Sequence, residues 1–362
     1  MPKITTKQLF SLIVLFEIGS AIIFAQGIDA KQDAWIAIAI ALCVGFLLMW
    51  MYTELQKKFP NKNLAQIIIV LTGKVIGIPL ILMFALYFFH ISSLILVASE
   101  EIVGTTFLNE TPRTVLCLIF MSTIIYILWL GIDVLAKIGE LLLPYILVTI
   151  LSIFILLFFS GRIAIVELSP VLSEGILPVL KAAFKVSSFP FGETIAFLMI
   201  WYKIDNKGDI RKVSFWALGI SGIILICTTT LMISVLGVHY TSISTIPLLK
   251  IIKLINVASI LTNLDSFSIL FIFVTSFIKA SVFFYAGVSC ISSIFKKIYI
   301  KWISIPCGII IIITSILLMP NYATYLLIGI KITPMYIHPF FLFFLTPLLF
   351  IISLFKNTPP NE

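Results

Sequence analysis

Val186-Ser187-Ser188-Phe189-Pro190-Phe191-Gly192-Glu193 is the stretch that decides the fold. It interrupts a run otherwise apolar enough to cross a bilayer with two serines, a proline, a glycine and a carboxylate. Pro190 removes a backbone donor and crowds the preceding turn, while Gly192 lowers the cost of leaving helical geometry. A second stretch reads the same way. Phe16-Glu17-Ile18-Gly19-Ser20-Ala21-Ile22 places a carboxylate, a glycine and a serine midway along the first apolar run. Non-helical backbone at membrane depth persists only where it lines a cavity or is buried in protein. Both stretches are therefore expected to be helix interruptions enclosed by other helices.

The rest of the chain supplies the membrane context. Of 362 residues, 61% are apolar and only 11% are charged, against about 25% charged in a soluble domain. Mean hydropathy is +1.19. Too little polar side chain remains to coat a water-soluble core, so the reading is an all-α polytopic membrane protein. Spans are expected near 8–27, 34–55, 77–99, 114–131, 139–160, 182–202, 213–237, 267–293, 302–319 and 335–355. Each is close to the roughly 20 residues that a crossing needs. Between the seventh and eighth, Pro247, Lys250, Lys253 and Asn256 suit an amphipathic or re-entrant helix. No connection is long enough for a separate soluble catalytic domain. Lys3 and Lys7 precede the first apolar run, but no small-residue cleavage site follows Gly27, so the first span is expected to be retained.

The net charge of +8 does not indicate nucleic-acid binding, because the basic residues are dispersed among apolar segments. They act instead as topology markers. Fifteen of the 24 Lys and Arg fall on the side of the termini, eight on the other, and Lys279 lies within a span. The bias places both termini in the cytoplasm. Cys43, Cys117, Cys227, Cys290 and Cys307 all lie in apolar runs without a CxxC pair, which suits core filling and neither a metal knuckle nor a disulfide framework. His90, His239 and His338 show no ligand spacing. There is no HExxH, no GxSxG and no acidic pair at metal spacing, so neither an enzyme nor a bound cofactor is expected.

The two interruptions occupy spans one and six. These are equivalent positions if residues 1–165 and 170–362 are two five-helix repeats, the second inverted because five is odd. Interrupted helices at matching positions of inverted halves point to a transporter-type binding site. The half-helix N-termini offer N–H groups to a carboxylate and the C-termini offer carbonyls to a cation. A free amino acid carries both groups. Pro144, Pro306 and Pro347 also lie in apolar stretches, so one break alone decides little; the coincidence of two, each with a carboxylate, carries the inference.

An ionisable side chain within a span is a functional candidate by default. Glu17, Glu193 and Lys279 qualify, with His90 and Glu100 behind them. Two roles for Lys279 stay open: it neutralises one of the glutamates, or it stands in for a transported cation and holds the two broken helices in register. For the ligand, backbone groups around Gly19, Ser20 and Ala21 are the expected contacts. Phe189, Phe191 and Gly192 complete the shell, and Val97, Ala98, Ser99 and Tyr285 close it.

Lys3-Ile4-Thr5-Thr6-Lys7-Gln8-Leu9 followed by Glu17-Ile18-Gly19-Ser20 resembles the start of the B subunit of spore germinant receptors, the GerAB-type spore germination proteins. Leu261-Thr262-Asn263-Leu264-Asp265-Ser266-Phe267 and Phe277-Ile278-Lys279 are similar to the same family, with Asn263 where the family favours Arg. The similarity runs the length of the chain. It implies a fold of the amino acid–polyamine–organocation (APC) superfamily, with the LeuT-type five-plus-five inverted repeat. It also implies residence in the inner membrane of a bacterial endospore and assembly with an A subunit and a lipoprotein C subunit. In that family the B subunit recognises the small germinant, often an amino acid. An amino acid permease of the same fold and a subunit with a purely structural role are the rival readings.

Overall fold

The structure, a computed structural model, describes residues 3–254, 264–295 and 300–356, and of 264–269 the backbone alone. Ten helices of varied length, and one short one, follow from the apolar runs: α1 (Thr6–Ile18), α2 (Ala34–Lys58), α3 (Leu64–Thr106), α4 (Arg113–Leu130), α5 (Ile132–Phe159), α6 (Ile176–Ser188), α7 (Ile210–Ile243), α8 (Pro247–Lys253), α9 (Leu264–Ile294), α10 (Ile300–Leu318) and α11 (Tyr322–Phe355). Eight helical stretches are long and apolar enough to cross a membrane. Helices α1 and α6 fall short at 13 residues each. Each stops at an interruption and goes on as 3-10 helix, over Ala21–Ile23 and over Phe191–Met199. With these two the described residues hold the ten crossings expected, in an all-α membrane fold.

Capping sets where the elements begin. Thr5 and Gln8 form a reciprocal capping box at the start of α1, and Asn63 and Gln66 do so at the start of α3. The second box starts α3 well before the expected residue 77. The helix absorbs the difference at Gly73, whose φ of +75° bends the chain in a region that suits glycine. Helix α7 likewise continues past residue 237 through a kink at Gly237, φ +73°. Helix α11 begins at Tyr322, not near 335. Its stretch Leu326–Ile337 winds as π-helix, which carries Lys331 and Pro334 within a continuous element where an apolar-run reading stops short. The Pro247–Lys253 helix occupies part of the expected amphipathic segment. Asn263 and its neighbours Leu261 and Thr262 lie outside the described residues, and of Leu264–Phe267 only the backbone is described.

The broken elements form the centre of the bundle. Helix α1 packs on α5, α7 and α9; α2 packs on α6 and α7, and α3 on α9. Both ends of the chain meet at one end of the molecule. The Ile4 amide donates to the Lys203 carbonyl at 3.2 Å and the Asp205 amide to the Ile4 carbonyl at 3.1 Å. The Lys58 ammonium donates to the Ser353 carbonyl at 2.9 Å. At the opposite end, ion pairs Lys31–Glu174 and Lys185–Asp29 join the loop after α1 to α6 and the loop before it. The Asp33 carboxylate accepts from the Leu172 amide at 3.0 Å.

Close helix contact relies on small residues, as is general where apolar lipid gives no hydrophobic drive for association. A Cβ at Gly222 on α7 would stand 2.6 Å from the Leu42 methyls of α2. Gly222→Val should therefore lower the thermal midpoint of the purified protein, the overpacking costing about 1–3 kcal/mol. An unchanged midpoint would reject this α2–α7 approach.

Candidate functional site

The first interruption is shaped by the absence of a side chain. The Gly19 amide still donates to the Leu15 carbonyl at 2.9 Å, but its ψ of −118° turns the chain out of the helix. A Cβ here would lie 2.7 Å from the Cδ of Lys279 and 2.8 Å from the Phe16 carbonyl oxygen. The glycine thus lets the lysine stem cross the break. The Gly19 carbonyl, left without an intrahelical partner, accepts from Thr275 Oγ1 of α9 at 3.2 Å. The Ala21 carbonyl accepts from Gln26 Nε2 at 3.0 Å.

The second interruption is made by extended backbone at Phe189, φ −132° and ψ 115°, ahead of Pro190. After it the Glu193 amide donates to the Pro190 carbonyl at 3.0 Å, opening the 3-10 segment. Lys279 and Glu193 form a fully enclosed ion pair, Nζ to Oε2 2.6 Å, with 0% and 1% of the respective side chains exposed. The same ammonium stands 5.1 Å from the centre of the Phe16 ring and 4.7 Å from that of Phe189, a favourable arrangement for a cation. One lysine on α9 thereby touches a residue of each broken element.

Glu17 is buried beside this pair, and neither of its oxygens has a hydrogen-bond partner among the described residues. Two carboxylates thus share the neighbourhood of one ammonium. His338 of α11 faces Glu193 from the other side, Nε2 to Oε1 3.5 Å, and its Nδ1 lies 2.7 Å from the Tyr87 hydroxyl of α3. The Tyr52 hydroxyl of α2 donates to the Gly192 carbonyl at 3.3 Å.

A cavity of about 30 Å³ opens at this point, lined by Ser20, Ile95, Phe189, Glu193, Tyr325 and His338. That is close to the volume of one water molecule. Phe189 also forms part of the wall of an outer vestibule of about 340 Å³, which holds Gln26, Asp29, Lys185 and Lys331. Phe189 and Ile330 line both spaces.

The expected site residues separate into groups. Glu17, Gly19, Ser20, Phe189, Glu193 and Lys279 come together around the two breaks. Ala21 lies just past the first break and is buried. Phe191 packs on Gly45 of α2, and Gly192 abuts Leu342 of α11. On α3 the cavity is lined by Ile91, Leu94 and Ile95, about a turn before Val97, Ala98 and Ser99; the Ser99 hydroxyl donates to the Ile95 carbonyl at 2.8 Å. Tyr285 is six residues beyond Lys279, some 9 Å along α9, with the Lys203 ammonium 5.5 Å from its ring centre. His90 meets Thr333, 2.9 Å from Nε2 to Oγ1, and Glu100 pairs with Arg113 at 2.8 Å. Sequence reasoning missed His338, Tyr87, Tyr52 and Tyr325. The rule that selects Glu17 and His90 selects His338 as well, because it too lies in an expected span, 335–355.

The chain matches the model of the family described as "Spore germination protein" over residues 3–323. It is 34% identical over 358 residues to spore germination protein KB of Bacillus subtilis (strain 168), covering 98% of this chain and 95% of that one. Spore germination protein YndE of the same organism is 23% identical over 325 residues, covering 88% of each. Among solved structures, MhsT in complex with L-phenylalanine superposes with a TM-score of 0.71 at 15% identity, over 98% of this chain and 90% of that one. The nucleobase-cation-symport-1 family transporter MHP1, closed around bromovinylhydantoin, gives 0.65 at 13% identity, over 88% and 73%. The architecture is that of the LeuT-fold transporters.

Removing one member of a buried ion pair strands the other and costs about 3–5 kcal/mol. Lys279→Met should accordingly lower the amount of folded protein recovered from membranes and its thermal midpoint. Glu17→Gln, which removes the carboxylate without an ion-pair partner, should be recovered at the level of the unaltered protein. Equal recovery of both variants would reject the ion pair as the element that holds the two breaks together.

Proposed function

This chain belongs to the spore germination protein family, and from that premise we propose that it is the germinant-recognising B subunit of a spore germinant receptor. The observation that carries the proposal is the convergence of both helix interruptions on one small cavity, with Ser20 from the first and Phe189 and Glu193 from the second in its wall. The germinant is a small nutrient, an amino acid by preference. Its ammonium is matched by the Glu193 side and the carbonyls that end α1. Its carboxylate is matched by the amides that open the 3-10 segments and by Lys279. Support for an amino acid also comes from MhsT, which shares the fold and was solved with L-phenylalanine bound.

In this reading the cavity of about 30 Å³ is the closed form. Ligand sites for small molecules are commonly near 300–1,000 Å³, so binding requires Phe189 to swing and join the cavity to the vestibule outside it. Only a ligand that favours the opened arrangement shifts the balance between the two forms. The partner A and C subunits would read that shift. Gly19, Ser20 and Ala21 contribute backbone contacts, Phe189 covers the ligand, and Phe191 and Gly192 hold the second break against α2 and α11. Val97, Ser99 and Tyr285 flank the site and adjust its shape from α3 and α9. Lys279, Glu193 and Glu17 couple the breaks. The halves 1–165 and 170–362 act as the two inverted repeats, the protein resides in the spore inner membrane with both termini cytoplasmic, and it performs no enzymatic chemistry.

A permease of the same fold is the second reading, favoured by the transporter neighbours. Purified protein should be screened against free amino acids by thermal stabilisation, and reconstituted vesicles tested for uptake of the same compounds labelled. The receptor reading expects stabilisation by one or a few small amino acids with no uptake above empty vesicles. Phe189→Ala should change the apparent Kd at least tenfold, about 1.4 kcal/mol, with the fold retained. Uptake would favour the permease, and the lack of stabilisation by any small nutrient would reject the pocket.

A further inference from the structure

Helices α2 and α7 leave a groove on the outside of the bundle whose two ends differ in chemistry. The groove measures about 600 Å³, and its apolar part runs between Phe46 of α2 and Phe215, Trp216, Ile220 and Ile223 of α7. Phe46 and Phe215 stack at 5.4 Å between ring centres and form its floor. Gly219 adjoins the Phe46 ring, which a Cβ there would meet in ordinary contact at 3.4 Å. Trp216 is 64% and Ile223 59% exposed. From Lys212 to Ile223 the groove follows α7 for about 16 Å, roughly half the ~30 Å hydrocarbon thickness.

The other end is basic. A second hollow of about 310 Å³ adjoins the groove through Gly208 and Arg211, and Lys57 and Lys207 stand in its wall; Lys212 lines the groove itself. Four cations thus border the two hollows, and among the described residues no carboxylate lines either. Arg211 is paired with Glu54 and donates to Thr53 Oγ1 at 3.1 Å, which fixes its guanidinium. Lys57 and Lys212 are exposed. This is the end at which the chain termini lie.

A dispersed set of lysines at one membrane face is ordinary topology signalling, and an apolar groove on a membrane helix is ordinary lipid contact. Their continuity is what neither accounts for. A cationic hollow opens directly into an aromatic-floored channel one leaflet deep. We propose that this groove is a binding site for an anionic phospholipid, its phosphate among Lys57, Lys207 and Lys212 and one acyl chain along Phe215, Trp216 and Ile223. Basic pockets between membrane helices hold anionic headgroups in this manner. The charge complementarity selects an anionic lipid over a zwitterionic one, and the channel selects a lipid over a free phosphate. The site is separate from the central cavity, so its occupancy does not depend on the germinant reading.

The test compares thermal stabilisation of the full-length protein in detergent by dioleoyl-phosphatidylglycerol, by dioleoyl-phosphatidylcholine and by glycerol phosphate, with retained lipid identified by mass spectrometry. The expected result is binding at least tenfold tighter for phosphatidylglycerol than for phosphatidylcholine, and no shift with glycerol phosphate. The variant Lys57→Gln/Lys212→Gln, altering two exposed side chains, should abolish the difference between the lipids while keeping the unliganded midpoint. Trp216→Ala should weaken both lipids alike. Equal binding of the two lipids, an unaffected double variant, or a full shift with glycerol phosphate would each overturn the proposal. So would a groove that crosslinks to a second polypeptide in the assembled membrane complex instead of to lipid.

Discussion

An ammonium group held out of water in the middle of a bilayer is tolerable only with a counter-charge in contact, and Lys279 has one at 2.6 Å in Glu193. Much of the molecule follows from that requirement. The counter-charge sits just after a break in one helix, so the break must stay where α9 can reach it. The lysine stem lies across a break in another helix, so the residue there has no side chain. Two aromatic rings, one from each broken element, flank the ammonium. Elements that are remote in sequence are therefore fixed to one another by a single side chain.

The interruptions are stable because their exposed backbone groups are accounted for. Thr275 of α9, Gln26 of the outer loop and Tyr52 of α2 each donate to a carbonyl at or just past a break, those of Gly19, Ala21 and Gly192. These donors come from three different elements, and none could be assigned to its carbonyl from sequence distance alone. The interruptions themselves could be. Pro190 and Gly192, and Gly19 with Ser20, announce a departure from the helix within an apolar run, and the run supplies the membrane that makes such a departure worth noticing.

What the residues did not disclose is orientation around each helix axis. Phe191 and Gly192 adjoin the second break, yet the 3-10 winding turns them to α2 and α11 and presents Glu193 to α9. On α3, a shift of about one turn separates Val97 and Ser99 from the residues that line the cavity. Helix α11 was legible only in its second half, because Lys331 and Pro334 read as loop while the π-helical winding keeps them in the element. His338 shows the converse: it was visible as an intramembrane ionisable residue, but its partner Tyr87 lies 251 residues away, beyond the reach of any local pattern.

The outer rim bears on how the two breaks can move. Lys31–Glu174 and Lys185–Asp29 tie the continuation of the first span to α6 and to the loop that precedes it. These straps fasten the outer portions of the two broken elements to one another. Both pairs are at least partly exposed to solvent, so mobile ions screen them within about 8–10 Å, whereas the Lys279–Glu193 pair is shielded from such screening. The two kinds of ion pair thus answer differently to the surroundings: salt around the molecule weakens the outer pairs and leaves the central one untouched.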